Sequence, residues 1–217
     1  MSGFPGSPRV IPGALVAVDL VPPRARAIPF QYNPDEVTRT IKPRRPPASG
    51  ASESDAHRIW GAPTESIAMT LELDATDGLE TAEGTAQRLG VGGRIAALES
   101  LLYPASALVV AGAALAAIGT IEVLPPTGPL IVLAWGRGRV VPVTIDGLTV
   151  REQAYDTRLN PIRASVEVSL TVLSYDDLSP LDPGYALFLA HQTAMESMAA
   201  QASAAGSAGD LLGTARL

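Results

Sequence analysis

Four carboxylates crowd a short span of this chain: Glu72, Asp74, Asp77 and Glu80. Acidic oxygens so close together are the raw material of a calcium or magnesium loop. The series lacks the D-x-D-x-D-G register and a closing bidentate Glu at the right offset. It reads instead as the polar face of a strand running into a turn. The two histidines, His57 and His191, lie far apart, and there is no cysteine. Neither a thiolate site nor a His-rich zinc or iron site is expected from such a set. His191 falls on an apolar helical stripe with Phe188 and Met195, the setting of a packed or interface residue. His57 has no evident nucleophile beside it. Gly136-Arg137-Gly138 and Gly90-Val91-Gly92-Gly93 are glycine-rich, but no Gly-Lys-Ser/Thr follows and no G-x-G-x-x-G opens a helix. A G-x-S-x-G elbow is also lacking. Catalysis needs convergent partners, and none can be assembled, so the expectation is a non-enzyme with no cofactor and no metal.

The elements around these residues are mostly strands. Ala14–Leu20 is a β-type run, and Val21–Arg26 reads as a Pro/Arg turn. Ile28, Phe30 and Tyr32 then alternate on one face of a short aromatic strand. Asn33-Pro34 marks a turn, because proline pushes the residue before it out of the helical region. Ser66–Asp74 places Ile67, Met69, Leu71 and Leu73 on one face, with polar residues on the other. Residues 79–103 read as helical, with Val91, Ile95, Leu98 and Leu102 on one stripe. Their glycines point to two short helices rather than one. Leu130–Trp135 is a continuous apolar run, as in a strand buried on both faces. Val141, Val143 and Ile145 alternate toward Asp146-Gly147, a hairpin or bulge signal. Arg163–Leu173 is the best strand, with Ala164, Val166, Val168, Leu170 and Val172 on one side. A helix then starts near Leu181–Gly184 and runs to about Ala204.

The chain divides into a flexible N-terminal arm (1–13), a β domain (14–178) and a C-terminal helix with a mobile tail (179–217). The β domain carries a long loop (42–65) and an Ala-rich insertion (105–127). Its fold class reads as mainly β with flanking helices, an α+β arrangement. Net charge is −6, unevenly spread: residues 1–60 carry eight Lys/Arg against five Asp/Glu, and the remainder 8 against 17. Such polarity suits stacking of one subunit on another. No broad basic stripe exists, so nucleic acid is not an expected partner. The start of the chain shows no basic region followed by an apolar one, so no secretory signal is expected. The uncharged stretch from Leu101 to Ile121 invites comparison with a membrane span, which needs about 20 predominantly apolar residues. Pro104 breaks its start, Ala and Gly give it little apolar area, and no Trp or Lys/Arg cluster flanks it. A surface helix or ordered insertion is expected, without stable membrane insertion.

In order and spacing these segments resemble the tube and baseplate-adaptor (tube initiator) proteins of contractile injection systems, relatives of contractile phage tails. The first landmark is Ile28-Pro29-Phe30-Gln31-Tyr32-Asn33-Pro34 with Val37. The second is Ser66–Asp74 followed by Thr76. The third comprises Trp135-Gly136, Asp146–Val150, Tyr155-Asp156, Asn160-Pro161, Arg163-Ala164 and Val166–Val172. The resemblance covers about residues 14–41 and 66–175 and is carried by the sequence of landmarks.

The resemblance implies a tail-tube-like β-barrel or sandwich with one intervening helix and a C-terminal helix. It implies assembly as a homo-hexameric ring between spike hub and inner tube. Implied partners are the inner tube protein, the hub and other baseplate proteins, with the sheath a further possibility. The implied location is the cytoplasm during assembly and then a phage-tail-like particle. Many such proteins carry a C-terminal LysM module; here one helix and a small-residue tail stand in its place. The contact residues expected on this basis are Tyr32, Arg44, Arg45, Trp60, Trp135 and Arg163, since Tyr, Trp and Arg are the usual interface anchors. Core packing is the competing explanation for Tyr32 and Trp135, and Trp60 either anchors its own loop or docks on a neighbour. Two other functions fit the residues: a polymerising inner tube or tube-terminator protein, and a membrane- or peptidoglycan-associated module.

Overall fold

The computed structural model describes residues 11–20, 23–44, 58–81, 83–117, 128–136 and 138–203. Its strands are β1 (Ala14–Leu20), β2 (Pro23–Pro29), β3 (Val37–Lys42), β4 (Thr64–Asp74), β5 (Leu130–Trp135), β6 (Arg139–Tyr155) and β7 (Pro161–Val172). They form one antiparallel sheet in the order β2-β1-β5-β6-β7-β4-β3. The ladder does not close, and β2 and β3 remain its two ends. The chain is thus mainly β with helices, and the sheet is an open one rather than a hydrogen-bonded barrel.

Alternation sets the buried face. Ile67, Met69, Leu71 and Leu73 of β4 are buried together with Ala164, Val166, Val168, Leu170 and Val172 of β7. Leu15 and Ala17 of β1 lie opposite Leu133 and Ile131 of β5 in the same cluster. In β5, Ile131, Val132 and Leu133 are all buried, as a continuous apolar run requires. The Asp146-Gly147 signal resolves as a bulge inside a single long β6. One extra residue reverses which side chains face inward. Val141, Val143 and Ile145 pack into the core before the bulge, and Leu148 and Val150 after it.

Between β4 and β5 the described residues form four helices, where two short ones were expected over residues 79–103 and a surface helix or ordered insertion after them. The four are α1 (Thr76–Glu80), α2 (Gly84–Leu89), α3 (Gly92–Glu99) and α4 (Ser106–Ala117). The reason is local. Gly90 takes φ +54°, in the left-handed region, and ends α2. A Cβ at Gly90 would collide with the Pro161 carbonyl, which accepts a bond from Val91 N–H at 2.8 Å. That contact seats Val91, Ile95 and Leu98 in the core. No residue of α4 is buried.

A last helix, α5 (Pro183–Ser203), packs against β6. Phe188 enters the core, and its ring meets Tyr175 edge-on at 5.7 Å. Met195, expected on the same stripe, is exposed, as is Met198 one turn on. The segment expected as a turn over Val21–Arg26 is mostly strand, since β2 begins at Pro23. Gly13, expected within a flexible arm, is buried and bonded: its carbonyl accepts from Phe30 N–H at 2.8 Å. Residues 1–10 of that arm, the tail beyond Ser203 and residues 118–127 of the insertion lie outside the described residues.

Candidate functional site

The aromatic strand expected over residues 28–32 ends early, and its last residues serve a different purpose. Phe30 is buried against Trp135, with ring centroids 6.3 Å apart. Gln31 follows and turns its amide to the end of β4. Its Nε2 donates to the Asp74 carbonyl at 2.6 Å, and Asp74 N–H donates to its Oε1 at 3.0 Å. Tyr32 lies next to this clasp and is 41% exposed.

Asp74 is the hub of the region. Its carboxylate accepts from the Thr76 backbone N–H at 2.7 Å and also from the Thr76 hydroxyl. Arg163, its partner across the ladder, donates Nε–H at 2.8 Å. The Thr76 hydroxyl bond, with Arg163 adding, holds the Asp74 carboxyl below its ordinary range against the opposing effect of burial. The acidic series of the sequence is therefore divided among structural duties. Asp74 joins strand, helix and Arg163, Asp77 sits in the first turn of α1, and Glu72 is on an exposed strand face. Among the described residues, no three His, Cys, Asp or Glu side chains are grouped to hold a metal ion.

Five of the six expected contact residues are described, and they do not gather into one cluster. Tyr32 and Arg163 are drawn into one neighbourhood through Gln31 and Asp74. Tyr32 also lines a groove of about 730 Å³ with Glu36, Thr38, Thr70 and Glu72. Trp135 is half-buried beside Phe30 and joins the core. Arg44 is fully engaged within its own chain. It donates Nε–H to the Ala62 carbonyl at 2.8 Å and Nη2–H to both Asp177 carboxylate oxygens at 2.8 and 3.0 Å. Trp60 is 41% exposed on the chain entering that clasp. Arg45 lies outside the described residues.

Sequence reasoning missed the partners of Arg44. Asp177 accepts from both the backbone and the hydroxyl of Ser174, and Asp176 accepts from Ala62 N–H at 2.8 Å. Gly61 takes φ +99° so that the chain can pass Asp176 closely. The Asp176-Asp177 pair after the last strand was the available signal. Asp156 was missed in the same way. It caps the turn between β6 and β7, accepting from Arg158 N–H, Asn160 N–H and the Asn160 side chain at 2.7 to 2.8 Å.

Among the described residues, two apolar surfaces lie open. The helix α4 exposes Leu108, Val109, Val110 and Leu115. An apolar cleft of about 780 Å³ opens between the end of β2 and helices α1–α3, floored by Leu71 and Leu73. Among the described residues no helix is long and apolar enough to cross a membrane. No protein-family model matches the chain, and no curated protein matches its sequence.

Proposed function

We propose that this protein is a structural subunit of a contractile injection system. In this reading it is a tail-tube-like ring adaptor that joins the spike hub to the inner tube and starts tube assembly. The observation that carries the reading is the open antiparallel sheet, whose end strands β2 and β3 each have one partner strand among the described residues, together with an apolar helix, α4, none of whose residues is buried. Unpaired strand edges and exposed apolar helices are covered by neighbours in assemblies. Six copies related by rotation would satisfy both features in a closed ring. The order of sequence landmarks, from Ile28–Pro34 through Asp74 and Trp135 to Arg163–Val172, supports the same assignment.

Tyr32, Trp60 and Arg163 keep enough exposed surface to meet a neighbour. Arg44 contributes by fixing the base of the 42–65 loop. A polymerising tube or terminator subunit would use the same edges, and copy number per particle separates it from an adaptor. The deciding experiment is negative-stain imaging with light scattering, on the protein alone and with its neighbouring gene products. Single rings formed with a hub partner support the adaptor. Long self-assembled tubes transfer the assignment to the tube protein. A monomer inert to every baseplate and tube component ends the injection-machine reading.

A further inference from the structure

His191 is buried in the inner surface of α5, with 8% of its area exposed. Neither ring nitrogen has a hydrogen-bond partner among the described residues. The Gly138 backbone lies beside the ring but outside hydrogen-bond geometry. The charged groups facing the ring come from three strands: Glu65 of β4, Arg39 of β3 and Arg139 of β6. Glu65 is itself buried and already accepts from Arg39 Nε–H at 2.6 Å. An imidazolium here would meet two guanidinium groups and one carboxylate that is already engaged. A neutral imidazole packs without such conflict, and Phe188, one turn earlier, completes the docking of the helix.

We propose that α5 is an acid-released strap, in which protonation of His191 undocks the helix from β6 and from the Arg39–Glu65 pair of β3 and β4. Burial is the main force lowering the pKa of His191, and the two arginines add to it while Glu65 and the Gly138 backbone oppose. Arg139 shows the same bias, since burial first and Arg39 second disfavour its charge. The proton therefore binds more tightly to the undocked helix. Docking is fully stabilised above the free value of 6.5 and weakens as pH falls from there toward the lower docked value. One titrating group multiplies the opening equilibrium by about tenfold per pH unit across that window.

The test is hydrogen exchange by mass spectrometry on the full chain at about pH 7.5 and about pH 5.5, corrected for intrinsic exchange rates. Peptides from α5 are expected to lose protection, by up to about tenfold, while β7 peptides hold theirs. His191→Leu is expected to remove the step. Arg139→Gln, which deletes one of the repelling charges, is expected to shrink it and serves if His191→Leu does not fold. Unchanged α5 protection in the wild-type chain would overturn the proposal. So would a step of full size in either variant.

Discussion

One side-chain amide, that of Gln31, satisfies both backbone groups of Asp74, at 2.6 and 3.0 Å. The N–H and C=O of one strand residue point to the same side. Both groups of Asp74 therefore face away from β7, toward the edge of β4 that β3 leaves open beyond Met69. Gln31 stands in for a missing strand there. Gln31→Ala is expected to destabilise the fold by about 1–3 kcal/mol, the typical penalty for orphaning a paired polar group. Gln31→Glu loses the donor and sets a carboxylate against the Asp74 carbonyl, so it should be at least as harmful. Urea unfolding measures both, and unchanged midpoints would refute the clasp.

Much of this fold could be read from alternation. β1, β4, β5 and β7 lie where the period-2 and continuous apolar patterns put them. The inward faces of β4 and β7 are those expected residue by residue. What could not be read were contacts between distant segments. Nothing local in the chain says that Arg44 will meet Asp177, or that Gln31 will meet Asp74. The break between α2 and α3 depends on Gly90 touching Pro161, a contact 71 residues away in sequence. Arg44 was expected as an outward anchor for its residue type; its engagement inside the chain is a property of tertiary approach.

Acid should loosen the molecule at identifiable joints. Burial works against the charge of Asp177, but hydrogen bonds from Ser174 and Arg44 outweigh it and lower its pKa. Asp74 is lowered chiefly by the Thr76 hydroxyl, and Asp156 chiefly by the Asn160 side chain. Each folded pKa lies below the free value of 3.8, so the stabilisation is complete above 3.8 and disappears as pH falls through the folded values. The urea midpoint is expected to drop steeply below 3.8. Asp177→Asn should flatten that drop while lowering the midpoint at neutral pH. An equally steep acid limb in Asp177→Asn would remove Asp177 from the explanation.

Gly90 is required by both conformation and space. Its φ of +54° is one that side chains resist, and a Cβ would run into the Pro161 carbonyl backbone rather than a yielding side chain. Gly90→Ala is expected to cost more than about 1 kcal/mol, above the usual left-handed penalty, because the Val91–Pro161 hydrogen bond must also shift. Gly92→Ala is the control, since a Cβ there meets nothing within 4 Å. Gly92 also begins α3, where alanine favours the helix. Thermal unfolding of the two variants should separate them clearly. Equal melting temperatures would contradict the packing of α2–α3 onto the β6–β7 turn.

The apolar content of this chain serves two distinct purposes, and substitution can tell them apart. Leu170, toward the end of β7, is fully buried, and Leu170→Ala should cost about 2–5 kcal/mol. Val110 of α4 is 68% exposed, so Val110→Ser should change the stability of the isolated chain by no more than about 0.5 kcal/mol. A helix apolar on all sides belongs in a buried setting, and α4 finds none within its own fold. In the proposed ring a neighbouring subunit would supply that burial. Val110→Ser and Leu108→Ser should therefore weaken assembly or aggregation in light scattering while leaving the unfolding midpoint in place. A loss of stability matching Leu170→Ala would mean that α4 packs on its own domain, and the argument that it awaits a neighbour would fail.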